Sequence, residues 1–270
     1  MQIAEVFSQP KGRIMEDAHV VTPHYIAVFD GATPKTAFRF SLPDGSQLTP
    51  GQVAARTLAK AVGELEPSLT AREAVNRLSA ALRIALQGHR AEASGVICSI
   101  DRNEVWMVGD CQFGFVYDGT RIEVHHTEKV IDGILSRWRS TVVKSYLSRN
   151  LLTPEDISHN DPGRRIIQPF ITRQVQYQND PSSPLGFGVF DGTEIPDCYL
   201  EVFPVPRNAT ALILASDGYP KLHPTLQESE IALQQLLKSD PLCIGDPCET
   251  KGILAGNCSH DDRTYLKILL

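Results

Sequence analysis

The chain has 270 residues, 42% of them hydrophobic and 21% charged, with a formal net charge of −6. Such a length buries a large core, and the composition is that of a globular protein rather than a disordered or fibrous one. The acidic balance argues against a dedicated nucleic-acid binder, which carries a basic patch, but not against an enzyme of phosphates, where bound cations invert the local field.

From the N-terminus, residues 18–22 and 25–29 are short runs rich in β-branched and aromatic side chains, parted by Pro23 and His24, and predict two strands. Residues 32–50, with Pro34, Pro43 and Asp44-Gly45, predict a loop or flap. Two amphipathic helices follow. Ala54, Leu58, Ala61, Val62 and Leu65 share one face of the first, and Val75, Leu78, Leu82, Ala85 and Leu86 share one face of the second. The second opens on a capping box, Thr70 with Glu73, and stops before Gly88. Residues 95–100, 104–108, 112–117 and 121–125 predict strands, spaced so closely that an antiparallel meander is expected, with Asp118-Gly119 as a tight turn. Residues 129–149 predict a helix, Thr153-Pro154-Glu155 the cap and first turn of another, and 179–196 a loop. Strands at 199–203, 211–215 and 265–270, and a helix at 226–237 opened by Thr225 and Glu228, complete the chain.

No repeat, linker or low-complexity tract divides the sequence. The expectation is one domain, 1–270, folded as an α+β layered sandwich with an irregular or helical insert at 127–197. With no basic-then-apolar leader and no apolar run of membrane-spanning length, a cytoplasmic protein without a membrane partner is expected. The six cysteines read as reduced thiols. The sharper alternative groups Cys243, Cys248 and Cys258 with His260 as a zinc site, but it lacks the tight Cys-x-x-Cys pairs of structural zinc. His19, His24, His89, His125, His126, His159 and His223 show no metal-ligand spacing on a common helix face.

The chemistry is concentrated at strand ends. Ala27-Val28-Phe29 runs into Asp30-Gly31, Trp106-Met107-Val108 into Gly109-Asp110, and Leu212-Ile213-Leu214-Ala215 into Ser216-Asp217-Gly218. Glu16-Asp17 precedes the strand at Ala18, and Asp261-Asp262 precedes the last strand. A single Asp-Gly is ordinary turn chemistry, as Asp118-Gly119 and Asp191-Gly192 are taken to be. Several aspartates with apolar lead-ins are a different matter. If the strand ends converge, the carboxylates repel and raise one another's pKa unless cations sit between them. Carboxylates with no clear His or Cys partners suit Mg²⁺ or Mn²⁺ rather than zinc.

In order along the chain, Met15-Glu16-Asp17-Ala18-His19, Ala27-Val28-Phe29-Asp30-Gly31, Val108-Gly109-Asp110-Cys111, Leu214-Ala215-Ser216-Asp217-Gly218 and Asp261-Asp262-Arg263-Thr264 resemble the motifs of the metal-dependent serine/threonine protein phosphatases of type 2C. Gly51-Gln52-Val53-Ala54-Ala55 looks like that family's first helix and Ala93-Ser94-Gly95 like the strand before its meander. The resemblance runs from about residue 13 to the C-terminus and leaves 127–197 unmatched. It implies a four-layer αββα sandwich of two mainly antiparallel sheets, with two Mn²⁺ or Mg²⁺ ions between the sheet ends. By that resemblance Asp30 bridges the ions, the Gly31 carbonyl ligates one, Asp217 and Asp261 hold the other, and Asp17 and Glu16 act largely through metal-bound waters. A metal-bridging hydroxide then attacks phosphorus in line, and the cations neutralise charge on the phosphoryl oxygens. The implied substrate is a phosphoprotein, or a small phosphoester.

Three positions depart from the family. Ala32 follows Asp30-Gly31 where a proton-donating His is common, so proton delivery to the leaving group must come from elsewhere. Lys221 stands where the third ion's second aspartate is placed, so of that site only Asp110 carries over. Arg13 lies one residue nearer the acidic pair than the family's phosphate-binding arginine, and Arg164-Arg165 in the insert is a further basic pair. Two other readings remain. A regulatory or binding module would keep the fold without turnover. A haloacid-dehalogenase-like phosphatase would use Asp30 as nucleophile, but it needs a carboxylate two residues on, where Ala32 stands.

Overall fold

A computed structural model describes residues 1–32, 37–42 and 44–270. The chain runs β1 (Gln2–Gln9), β2 (Ala18–Val21), β3 (Tyr25–Gly31), β4 (Phe40–Ser41), β5 (Gln47–Leu48), α1 (Pro50–Val62), α2 (Ala71–Leu86), β6 (Ala93–Ser99), β7 (Glu104–Val108), β8 (Gln112–Tyr117) and β9 (Arg121–His126). It continues through α3 (Val130–Ser148), α4 (Pro154–His159), α5 (Pro162–Arg173), β10 (Glu201–Pro204), β11 (Ala211–Ala215), α6 (Leu226–Ser239) and β12 (Arg263–Leu269).

Ten strands pair antiparallel into two five-stranded sheets, ordered β1-β12-β11-β8-β9 and β10-β7-β6-β3-β2. The period-2 alternation of side chains decides what each face meets. Along β3, Ile26 and Val28 point between the sheets, where Val96, Met107, Phe113, Leu212, Leu214 and Leu266 join them. Tyr25, Ala27 and Phe29 point the other way, onto Leu58 and Val62 of α1 and Leu78 and Leu82 of α2. The outer face of the other sheet offers Ala211, Ile213 and Tyr265 to Leu233 and Leu237 of α6. The result is helix, sheet, sheet, helix: the expected αββα order.

The helix starts follow their local chemistry. Thr49 and Gln52 form a capping box on α1, with Pro50 in its first turn, and Thr70 and Glu73 form the one foreseen on α2. Asp118 and Gly119 both adopt positive φ in the β8–β9 turn, as foreseen.

The expected meander is broken in the middle. β6 pairs with β7 and β8 with β9, but β7 and β8 lie in different sheets. Gly109, at φ +85°, turns the chain out of one sheet and into the other. β1 and α5 were not foreseen, and residue 199 belongs to a 3-10 turn before β10 rather than to the strand. Leu65 falls beyond the end of α1. Within the foreseen flap, Pro34 and Pro43 lie outside the described residues, and β4 pairs with β5.

The 127–197 segment is largely helical and has its own small core, in which Ile131 and Leu135 of α3 meet Ile167 and Ile171 of α5 and then Phe187 and Val189. Among the side chains that fasten it to the rest of the chain, Arg139 is fully buried. The Arg139 Nε donates to Asp161 at 2.7 Å, Nη2 to the Leu242 carbonyl at 2.8 Å, and Nη1 to the carbonyls of Glu249 at 2.9 Å and Cys243 at 3.3 Å. A buried guanidinium is stable only with such a full set of acceptors. Arg139→Ala should cost about 3–5 kcal/mol of unfolding free energy in urea titration, because it leaves the Asp161 carboxylate without its ion-pair partner and the Leu242 and Glu249 carbonyls without the guanidinium. Arg139→Lys should recover only part of it, since an ammonium cannot reach all four partners.

Candidate functional site

Strand register, more than any side-chain contact, assembles the site. Ala18 pairs with Phe29, Asp30 with Ser94 and Gly95 with Val108, which puts Asp17, Asp30, Ser94 and Asp110 at one end of one sheet. Ala215 pairs with Tyr265 and Gln112, and Gln112 with His126, so Asp217, Asp261 and the start of the insert share one end of the other. The 108–112 link joins these ends. Gln9 pairs with Arg263, which delivers Lys11 to the same place.

Local bonds then fix the turns. Gln112 Nε2 donates to the carbonyls of Ser216 at 3.1 Å and Tyr219 at 2.6 Å, and Thr264 N donates to Ser216 Oγ at 2.9 Å, holding the turn that carries Asp217. Asp262 accepts from the backbone of Lys11 at 2.7 Å and of Glu16 at 2.8 Å, tying the segment before β2 to the one before β12. A Cβ at Gly218 would collide with the Asp262 carbonyl, and one at Gly31 with the carbonyls of Gly51 and Glu16, so both turns require glycine.

The carboxylates fall into two electrostatic groups. Asp30 and Asp217, from opposite sheets, lie within hydrogen-bonding reach, and burial pushes both well above the ordinary range, helped by the charges of Asp17 and Asp261 on Asp30 and of Asp30 and Asp261 on Asp217. Two buried carboxyls so close do not readily ionise together without a cation between them. Asp17 is 7% exposed, and burial pushes it from the ordinary 3.8 to about 7. Neither of its oxygens is in good hydrogen-bond geometry, and the Ser216 and Thr264 hydroxyls nearby only temper the rise.

The second group is neutralised by lysines. Lys129 Nζ lies 2.7 Å from Asp110, which Ser94 Oγ also bonds. Lys251 lies 2.5 Å and Lys11 2.9 Å from Asp261. Burial would raise both carboxyls, but Lys129 holds Asp110 below the ordinary range and Lys251 and Lys11 hold Asp261 far below it.

A cleft of about 140 Å³ is lined by Asp30, Asp110, Asp217 and Asp261 together with Lys129, Asp132, Arg164, Gln174 and Phe187 of the insert. Ala32 and His260 are also in its wall. Burial takes His260 down to about 4, so its ring is neutral at physiological pH and a poor proton donor.

The donor set was tested against the expected Mn²⁺ or Mg²⁺. The unbonded oxygens of Asp17 and the mutually repelling Asp30 and Asp217 fit a hard, oxygen-seeking cation. Among the described residues, however, no three His, Cys, Asp or Glu side chains already converge on one ion position.

Several expected site residues fall elsewhere. Arg13 is exposed and does not line the cleft, whereas Arg164 does. Glu16 is buried, accepts from Thr49 Oγ1 at 2.6 Å and sits 3.7 Å from Lys11, outside the cleft wall. Lys221 is exposed and stands away from the cleft, while Lys129 provides the ammonium at Asp110. Cys243 is buried, Cys248 faces Ser136 and Cys258 is exposed near the Pro10 carbonyl, so the zinc grouping does not assemble. Sequence reading missed Lys11, Lys129, Lys251 and Asp262. Only Asp262, beside Asp261, carried any local signal.

The raised carboxyls have a consequence for the protein in chelator. Their folded-state pKa values exceed the unfolded ones, so the folded state holds protons that the unfolded chain releases, and stability falls as pH rises. With EDTA present, the melting temperature should drop between pH 4 and about 7, the window that Asp17 sets, and Asp17→Asn should flatten the decline.

No protein-family model matches the chain, and no curated protein does. Among solved structures it is similar to a bacterial serine phosphatase, 15% identical with a TM-score of 0.50 over 97% of this chain and 95% of that one. It is similar also to the serine/threonine phosphatase Stp1 from Staphylococcus aureus, 15% identical with a TM-score of 0.51 over 100% and 97%. At such identities the likeness is one of fold alone: the chain has the two-sheet architecture of these serine/threonine phosphatases.

Proposed function

We propose that the chain is a Mn²⁺- or Mg²⁺-dependent phosphatase, a single-domain cytoplasmic hydrolase acting on phosphoserine or phosphothreonine in proteins. The observation that carries this reading is the close pair Asp30 and Asp217, brought from two sheets beside the buried Asp17 and opening on an acidic cleft that also holds Lys129, Arg164 and Lys251. Asp17, Asp30 and Asp217, with the Gly31 carbonyl, would hold the ion. Bound there, it would supply an acidified water and neutralise charge on the phosphoryl group. Asp110, Asp261 and Glu16 are the other members of the implied set, and each is already bonded to a lysine or a threonine hydroxyl.

The chain's own residues do the rest. Arg164 Nη1 donates to the Thr250 carbonyl at 2.9 Å, which aims the guanidinium along the cleft wall, where it and Lys129 would hold phosphoryl oxygens. Phe187, under Lys129 at 5.1 Å from its ring centroid, keeps that wall dry. Ala32 delivers no proton, so esters of acidic alcohols should be cleaved faster than alkyl esters. The lysine pairs on Asp110 and Asp261 favour one second reading, a module that holds a phosphorylated partner without turning it over.

Hydrolysis of an aryl phosphate should require Mn²⁺, and Asp30→Asn and Asp217→Asn should each lower kcat/KM at least about 100-fold. A wild type that binds Mn²⁺ yet releases no phosphate would select the binding module. A phosphoryl group trapped on Asp30 would select the aspartyl-nucleophile mechanism.

A further inference from the structure

We propose that ammonium groups stand in two of the cation positions that the fold implies, so that the chain binds a single divalent ion. The inference rests on the phosphatase reading and concerns how that site is filled. Lys251 and Lys11 reach Asp261 from two directions, at 2.5 and 2.9 Å, and Lys129 reaches Asp110 at 2.7 Å. All three side chains are largely buried, at 18%, 15% and 16% exposure, so these are not surface ion pairs that come and go.

Each lysine is also held by its surroundings. Lys11 N is bonded to Asp262, and its ammonium lies 3.7 Å from both Glu16 and Asp262. Lys129 sits at the cap of α3 with its ammonium over the Phe187 ring. Lys251 follows the Glu249 and Thr250 carbonyls that accept from Arg139 and Arg164. A divalent ion entering at Asp261 would have to displace two anchored ammonium groups, or sit against them in a site of low dielectric where like charges repel strongly.

The remaining acids behave differently. Among the described residues no ion pair forms on Asp17, Asp30 or Asp217, and Asp17 is 7% exposed with both oxygens unbonded. That buried carboxylate, with no ammonium on it and beside the Asp30 and Asp217 pair, is where a cation is called for. The site therefore divides into a half filled by the chain's own charges and a half left for one ion.

Titration of the full-length chain with Mn²⁺ by calorimetry and electron paramagnetic resonance tests this. We expect one Mn²⁺ per chain with the hyperfine pattern of an isolated ion, and at least a tenfold loss of affinity in Asp17→Asn. Lys251→Met keeps the stem's packing and removes the charge. With Lys11→Met it should admit a second ion and give a spin-coupled spectrum, circular dichroism confirming the fold. If the double variant does not fold, Lys251→Met alone should bind the second ion more weakly. Two coupled ions in the wild type would overturn the inference and leave the phosphatase reading standing, as would a folded lysine variant that still binds one. A wild type that binds no Mn²⁺ would overturn both.

Discussion

Antiparallel register forces five aspartates to one end of two stacked sheets, and the rest of the site is the answer to that constraint. In a medium of low dielectric such a concentration of negative charge is not tolerated, and only three remedies exist: a proton, a fixed cation or a bound one. The molecule uses the first at Asp30 and Asp217 and the second at Asp110 and Asp261. Asp17 has no fixed cation beside it, and its poorly bonded oxygens mark the place where the third is called for.

What the sequence discloses depends on whether a feature is local. Asp30 and Asp217 were legible because an apolar strand runs directly into each, and both the strand and the break that follows are written in neighbouring residues. The helix starts at Thr70 and Thr153 were legible for the same reason, since a cap and its partner lie three residues apart. The layered sandwich followed from strands that cluster along the chain.

The lysines were not legible. Lys11 meets Asp261 across 250 residues and Lys129 meets Asp110 across a turn, a strand pair and a change of direction, and nothing in either neighbourhood marks a long flexible side chain as returning to the site. The meander was misjudged because short spacing predicts pairing, whereas Gly109 redirects the chain into the other sheet. α5 was hidden by Pro169 inside it, which weakens the helical pattern although the first turn is well capped by Asp161. Arg164 looked like one of two solvated arginines, and only the packing of α5 on α3 turns it toward the cleft.

The Arg139 anchorage bears on how such a chain can diverge. Its donors reach from α3 to Asp161 within the segment and to the 242–249 loop outside it, so the loop's carbonyls depend on a residue that no comparison of the bare sandwich would align. The same loop leads into Lys251. Segment and loop are therefore one mechanical unit rather than an appendage and a neighbour. Removed singly, either would leave buried polar groups of the other without a counterpart, and the cleft would lose Lys129 and Arg164 or Lys251 along with its packing.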